Sequence, residues 1–355
     1  MSARRSLAYA ASGLAAAGLA AVATGVVVER RVVRARHAGG AQADRLGALH
    51  SPRREVTCSD GVVLHAEVDE VTPYAHRKRG RSDDPTLVFV HGYALNLDCW
   101  HFQREAFRGK HRMAFYDQRS HGRSERSDRE HATIEQLGDD LARVVEEVAP
   151  KGHVVLVGHS MGGMSIIALA ERHPELFADR VKGVALVSTT AGGLRPHRIL
   201  GRWVPDQLGT MVAPRVIAAL AKAPELVDSA RRSGSNIGFV VADMFAFGSK
   251  DVPAAHVEFL DEMLAGTSFD VLAEFFPNFS QLDKFDHLAA LGKMPTTIIC
   301  GTKDKLTSIG HSRKMAQRLP DAVLVECDGA GHMVIFESQD QVNAALEDLV
   351  AAAST

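Results

Sequence analysis

Cysteine is scarce in this chain, and what there is does not pair. Four cysteines, Cys58, Cys99, Cys300 and Cys327, are spread over 355 residues with neither the spacing of a disulfide framework nor that of a zinc site. Cys300 and Cys327 fall in or beside apparent core strands and read as small buried hydrophobes, which leans toward a reducing compartment. No group of His, Cys and Asp has metal-ligand spacing, so no metal is expected. Nor is a nucleotide cofactor: the turn "GHSMGG" at 158–163 lacks the Gly spacing of a dinucleotide turn and the Lys of a phosphate loop. Positive charge is missing from the body. Nine arginines stand against only Glu29 and Asp44 within residues 1–54, so a net charge of −2 leaves the remainder at −9. Nucleic acid, which needs a basic patch, is excluded as a partner on that ground. No internal repeat is visible.

The longest uncharged run lies near the start. Ser6 to Val28 spans 23 residues between Arg4-Arg5 and "ERRVVRAR", long enough to cross a bilayer, although its Ala and Gly content makes insertion only modestly favourable. It continues past the small-residue pattern Ala21-Val22-Ala23 and then meets four arginines, as a stop-transfer sequence would. The expectation is a single-pass anchor through residues 6–28, with a membrane-associated body. Arg30, Arg31, Arg34 and Arg36 outweigh Arg4 and Arg5, which favours the cytoplasmic side for that body. The alternative is a cleaved signal peptide and a secreted protein.

Hydrophobic residues make up 46% and charged residues 24%, a balance that supports a globular core rather than disorder. After a polar linker, "REVTCSDGVVLHAEV" (54–68) alternates around Asp60-Gly61, a hairpin signal. Short apolar runs follow: "TLVFV" (86–90), "RMAFY" (112–116), "HVVLV" (153–157), "GVALVS" (183–188), "TTIIC" (296–300) and "AVLVE" (322–326). Amphipathic stretches such as "TIEQLGDDLARVVEEV" (133–148) separate several of them. Continuous apolar strands alternating with helices predict an α/β fold with a mostly parallel sheet covered on both faces. Residues 194–292 break the alternation with helical patterns alone and carry nine of the chain's 15 Phe. This segment is expected to form a helical cap (lid) lining an apolar pocket, most of its Phe serving its own core. The expected organisation is an anchor or signal segment at 1–36, a linker at 37–54, a core at 55–193 and 293–355, and the cap between.

The chemistry centres on "HVVLVGHSMGGMS" (153–165). A strand running into Gly-x-Ser-x-Gly and then a helix makes a sharp turn that exposes Ser160 and aims the next N–H at the reacting centre. A serine hydroxyl needs a base, and the base an orienting acid. "TTIICGTKDKL" places Asp304 just after a late strand, and "AVLVECDGAGHM" places His332 after the last one. Asp328 is a rival acid, but four residues before His332 it is better suited to shaping that loop. "TLVFVHGYALN" ends a strand in His91-Gly92-Tyr93; the backbone N–H groups of Tyr93 and Met161 would converge on one oxygen above Ser160. His91 is expected to pack below the site, and the Tyr93 side chain to line the pocket.

"HGYALN", "YDQRSHGRS", "GHSMGG", "GTKD" and "GAGH" together resemble the α/β-hydrolase family of serine hydrolases, across roughly residues 55–350. The branch they are most similar to joins monoacylglycerol lipases, esterases and non-haem haloperoxidases. Ser120 stands where that family commonly has Gly. The resemblance implies Ser160 as nucleophile, Asp304 as acid, His332 as base, and the N–H groups of Tyr93 and Met161 as oxyanion donors. It further implies a carboxylesterase or lipase that cleaves a small hydrophobic ester through an acyl-serine intermediate. The same triad serves thioester, amide and C–C hydrolysis or perhydrolysis, and a non-catalytic ligand-binding member is the reading from another class. Oligomeric state has no sequence signature here.

Overall fold

The computed structural model describes residues 46–72, 84–195, 246–249 and 251–354. Every apolar run becomes a strand. In chain order these are β1 (Arg53–Thr57), β2 (Val63–Asp69), β3 (Thr86–Val90), β4 (Met113–Tyr116), β5 (Val154–His159), β6 (Val181–Val187), β7 (Thr296–Gly301) and β8 (Val323–Cys327). They form one sheet in the order β1-β2-β4-β3-β5-β6-β7-β8. β2 runs antiparallel to β1 and β4, and the pairs from β4 through β8 are parallel. The expected hairpin is present, turning through Gly61 at φ 88°, a left-handed conformation natural to glycine.

The helices are α1 (His101–Phe107), α2 (Ile134–Val148), α3 (Met161–Arg172), α4 (Pro174–Asp179), α5 (Ala254–Gly266), α6 (Phe269–Gln281), α7 (Ile309–Arg318), α8 (Val334–Glu337) and α9 (Gln339–Ala353). Strand periodicity of two sends alternate side chains into two layers. Val88, Leu156 and Val184 pack with Leu141 and Val145 of α2 and Ile166 and Leu169 of α3. Leu87, Phe89, Val155 and Val157 pack on the other side with Phe107, Phe336, Val342 and Leu346. Because both faces are covered, the strands read as unbroken apolar runs. Each such side chain contributes about 1.5–3 kcal/mol by leaving water.

α2 opens behind a capping threonine. Thr133 Oγ1 accepts the Gln136 N–H at 3.1 Å, satisfying one donor of the first turn. Gly138 on α2 lies so near α3 that a Cβ there would sit 2.9 Å from Leu169 N. That close approach sets the helix carrying the nucleophile candidate against the sheet.

Between β6 and β7 the described residues contain helices and no strand, closed at the base by an antiparallel bridge between Gly192 and Asp283. Residues 196–245, including the helical pattern at 213–233, lie outside the described residues. The aromatics depart from expectation. Phe259 stacks on Phe336 at 5.8 Å, and Phe275 and Phe279 pack against Met161 and Met164 of α3. They bind the excursion to the body rather than filling a separate core.

The expected single-pass anchor and membrane-associated body are corrected. Among the described residues no helix is long and apolar enough to cross a membrane, and residues 6–28 lie outside the described residues. The physical reason the expectation is weakly founded is composition: Ala and Gly supply length with little transfer energy, so an uncharged run of 23 residues is a poor predictor of a span.

Candidate active site

All parallel strands end at one edge of the sheet, and the candidate residues sit on the loops leaving that edge. Ser160 joins β5 to α3 at φ 52° and ψ −116°. For a non-glycine residue that conformation costs on the order of 1–3 kcal/mol and persists only where surroundings impose it. They do so here. The Ser160 N–H donates to Val187 O at 2.9 Å, and Thr189 Oγ1 donates to Ser160 O at 2.6 Å. A Cβ on Gly158 would lie 2.6 Å from the Gly162 carbonyl, and one on Gly162 would run into the Val90 backbone. The turn therefore tolerates no side chain at either flank. Ala94, Ser120 and Ser188, the other non-glycine residues at positive φ among those described, lie on neighbouring loops of the same edge.

Ser160, Asp304 and His332 come together as expected. His332 Nε2 is 3.0 Å from Ser160 Oγ, and His332 Nδ1 is 2.9 Å from Asp304 Oδ2. A carboxylate accepts only, so Nδ1 carries the proton and Nε2 presents its lone pair to the hydroxyl. Asp304 also accepts the N–H groups of Leu306 at 2.8 Å and Thr307 at 2.9 Å, and the Thr307 hydroxyl at 2.9 Å. Burial on its own would raise this carboxyl, but His332 and the hydrogen bonds outweigh it and hold Asp304 far below the usual carboxylate range. It stays an anion. The rival Asp328 takes the Thr302 hydroxyl at 3.1 Å and shapes its loop.

The loop after β3 lies directly against this turn: a Cβ on Gly92 would sit 3.1 Å from Ser160 Cβ. Tyr93 and Met161 are thus placed beside Ser160, Met161 as the first residue of α3, where backbone N–H groups have no carbonyl within the helix. His91 is fully buried below, as expected. The Tyr93 phenol, expected to line a pocket, donates to Leu272 O on α6 at 2.5 Å, and its ring meets Phe279 edge-on at 5.0 Å.

Three residues near the site escaped the sequence reading. Thr307 braces Asp304, and an Asp with Thr three residues later in a loop is a local hydrogen-bonding signal that could have found it. His159 donates from Nε2 to His332 O at 3.0 Å. Glu337 accepts the N–H groups of Gly331 at 2.6 Å and Gly248 at 2.9 Å, tying the His332 loop to a stretch within the excursion; no sequence pattern marks it. Among the described residues no cluster of His, Cys, Asp or Glu could hold a metal. A charged surface cavity lined by Asp84, Arg112, Lys151 and His153 lies at the opposite edge, where β3 and β5 begin.

Known proteins share this architecture. The model of the alpha/beta hydrolase fold family matches residues 85–339. A provisionally assigned carbamate hydrolase, RutD, of Caulobacter sp. (strain K31) is 26% identical over 270 residues, covering 75% of this chain and 90% of that protein. Non-heme chloroperoxidase CPO-A1 of Kitasatospora aureofaciens is 26% identical over 269 residues, 72% of this chain and 87% of its own length. The solved structure of a thermophilic esterase from Thermogutta terrifontis superimposes with a TM-score of 0.62 at 21% identity, covering 86% of this chain and 100% of the esterase. At that identity the likeness speaks for fold alone. With the family model spanning most of the chain, this protein belongs to the alpha/beta hydrolase fold family, as one of its hydrolases.

Proposed function

We propose that this protein is a serine carboxylesterase acting on small hydrophobic acyl esters. One observation carries the reading: at a strained strand-to-helix turn, Ser160 Oγ lies 3.0 Å from His332 Nε2 while His332 Nδ1 lies 2.9 Å from the buried anion Asp304. Ser160 Oγ attacks the ester carbonyl as its proton passes to His332 Nε2. The imidazolium so formed is stabilised by Asp304, and the carbonyl oxygen, now an anion, is held by the N–H groups of Tyr93 and Met161. Collapse breaks the bond to the alcohol, which leaves with the His332 proton. Water, deprotonated by His332, then releases the acid from Ser160. No metal or cofactor enters these steps. The half-buried Tyr93, Leu194 and Phe276, packed against the apolar cluster that includes Met161, support an apolar acyl group, and the excursion between β6 and β7 acts as its cap.

The test is reaction of the purified chain with a fluorophosphonate, then turnover of p-nitrophenyl esters of increasing acyl length beside thioester and carbamate analogues. Expected are labelling at Ser160, ester preference, and an optimum that sizes the pocket; Ser160→Ala should lose both labelling and turnover with folding intact. A Ser160→Ala variant that still turns over esters sinks the assignment, and preference for carbamates would redirect the substrate class.

A further inference from the structure

The two oxyanion donors proposed above sit on separate elements, Tyr93 on the loop after β3 and Met161 at the start of α3. Their separation must nevertheless be held closely, since a misplacement of about 1 Å can cost a factor of roughly 10² in rate. Gln118, on the loop after β4, lies between them and is fully buried, as are His91 and Ser165. A glutamine in that position is costly unless all its polar atoms are bonded, and each finds a partner.

On one side, Gln118 Oε1 accepts the Ser165 hydroxyl at 2.8 Å. Ser165 lies one turn into α3, with its Oγ also 3.0 Å from Met161 O. On the other side, Gln118 Nε2 donates to His91 O at 2.7 Å. A carbonyl accepts only, which fixes which end of the amide faces which partner. The Gln118 backbone N–H donates to His91 Nε2 at 2.9 Å, so the imidazole proton must be on Nδ1. That atom donates to Gly92 O at 2.7 Å. Gly92 C=O and Tyr93 N–H belong to the same rigid peptide and point in opposite directions. Pinning the carbonyl therefore aims the donor.

We infer that Gln118 is a positioning residue: its side chain braces Ser165 of α3 against the His91 carbonyl and so sets the spacing of the two elements that carry the Tyr93 and Met161 N–H groups, while its backbone N–H fixes the Nδ1–H tautomer of His91 that aims the Tyr93 N–H. The inference rests on the esterase reading. Its loss should appear in the transition state, where negative charge develops on the held oxygen, and hardly at all in substrate binding.

The experiment compares kcat and KM for one p-nitrophenyl ester in the wild-type chain, Gln118→Met, Ser165→Ala and the double variant, each with its thermal midpoint. Gln118→Met should lower kcat by about 30- to 100-fold with KM within about threefold. Ser165→Ala should lower kcat by about tenfold. The double variant should resemble Gln118→Met alone, because both substitutions cut one connection and effects on a shared connection do not multiply. A packing defect alone would predict neither the split between kcat and KM nor this non-additivity. Should Gln118→Met fail to fold, Ser165→Ala, which removes a single hydroxyl, decides by itself. An active wild type whose folded variants keep kcat within about twofold, or whose effects multiply independently, overturns this inference alone. A folded wild type that neither labels nor turns over overturns the esterase reading and this inference with it.

Discussion

At the scale of single residues the decisive question is which atoms face one another. Asp304→Asn keeps size and can still accept from the Leu306 and Thr307 N–H groups, but it turns an amide toward His332 Nδ1. The imidazole then favours the tautomer with its proton on Nε2, pointing at Ser160, and loses the anion that stabilises its charged form. A kcat lowered by about 10⁴-fold with KM little changed is expected; a loss under tenfold would send the acid role elsewhere. The triad was legible because its order along the chain and its positions just past three strands follow from how a parallel sheet is wound. Gln118, Thr307 and His159 were not, since their partners lie on other loops and only folding brings them into range. Ser120 shows why a departure from the usual Gly is tolerated. It adopts φ 64°, the conformation that favours glycine, and its Oγ accepts the Ser127 N–H at 3.0 Å, a bond glycine could not offer. Such local side-chain bonds are what let a short polar residue occupy left-handed space.

Among elements, α6 carries the contest between charge and burial. Arg126 reaches Asp270 at 3.1 Å and Glu274 at 2.5 Å, yet its side chain is 40% exposed, and surface pairs of that kind are worth about 0–1 kcal/mol. Phe275 is fully buried among Met161, Met164 and Leu137, where truncation costs about 3–5 kcal/mol. Apolar docking should win. In urea unfolding, Phe275→Ala should lose about 3 kcal/mol or more and open α6 to proteolysis first, whereas Arg126→Ala should lose less than about 1 kcal/mol. Equal losses would mean that the ion pairs, not the aromatic face, hold this helix. Strands and α2 were readable as elements because burial on both faces, or a capped amphipathic stripe, leaves a periodic trace. The docking of α6 left none: its Phe pattern is the same whether it seals a cap of its own or the top of α3.

For the whole molecule the buried histidines set the response to acid. Burial, foremost, holds His91 down at about 3, His121 at about 4 and His159 at about 3. The hydrogen bonds these rings already make, to Gly92 O, Arg119 O and His332 O, pull upward but are outweighed. His91 Nε2 already faces the Gln118 N–H, and among the described residues His121 Nε2 and His159 Nδ1 have no hydrogen-bond partner, so an added proton would find no acceptor at any of the three. An unfolded histidine titrates near 6.5. The unfolded chain therefore takes up three protons that the folded one refuses, and this contribution, complete above pH 6.5, is lost as pH falls toward 4. Asp117 opposes it: burial lifts its carboxyl to about 6, so its contribution is present at low pH and lost as pH rises through that value. Asp98 and Glu337, also raised by burial, act in the same sense as Asp117. Near pH 5 the balance of the three histidines over Asp117 is roughly two protons, a slope of about 3 kcal/mol per pH unit. Lower still, burial tends to raise Glu67, but His65, Ser51 and Arg104 outweigh it and hold it at about 2; its contribution, present above 4.5, is lost as pH falls through that folded value. Urea unfolding at pH 7.0, 6.0 and 5.0 should show stability falling by about 3–4 kcal/mol across the series, most of it below pH 6.5. A stability that stays flat between pH 7.0 and 5.0 would mean that these imidazoles are protonated in the folded state. The tautomer chain that aims the Tyr93 N–H through His91 would then have to be abandoned as well.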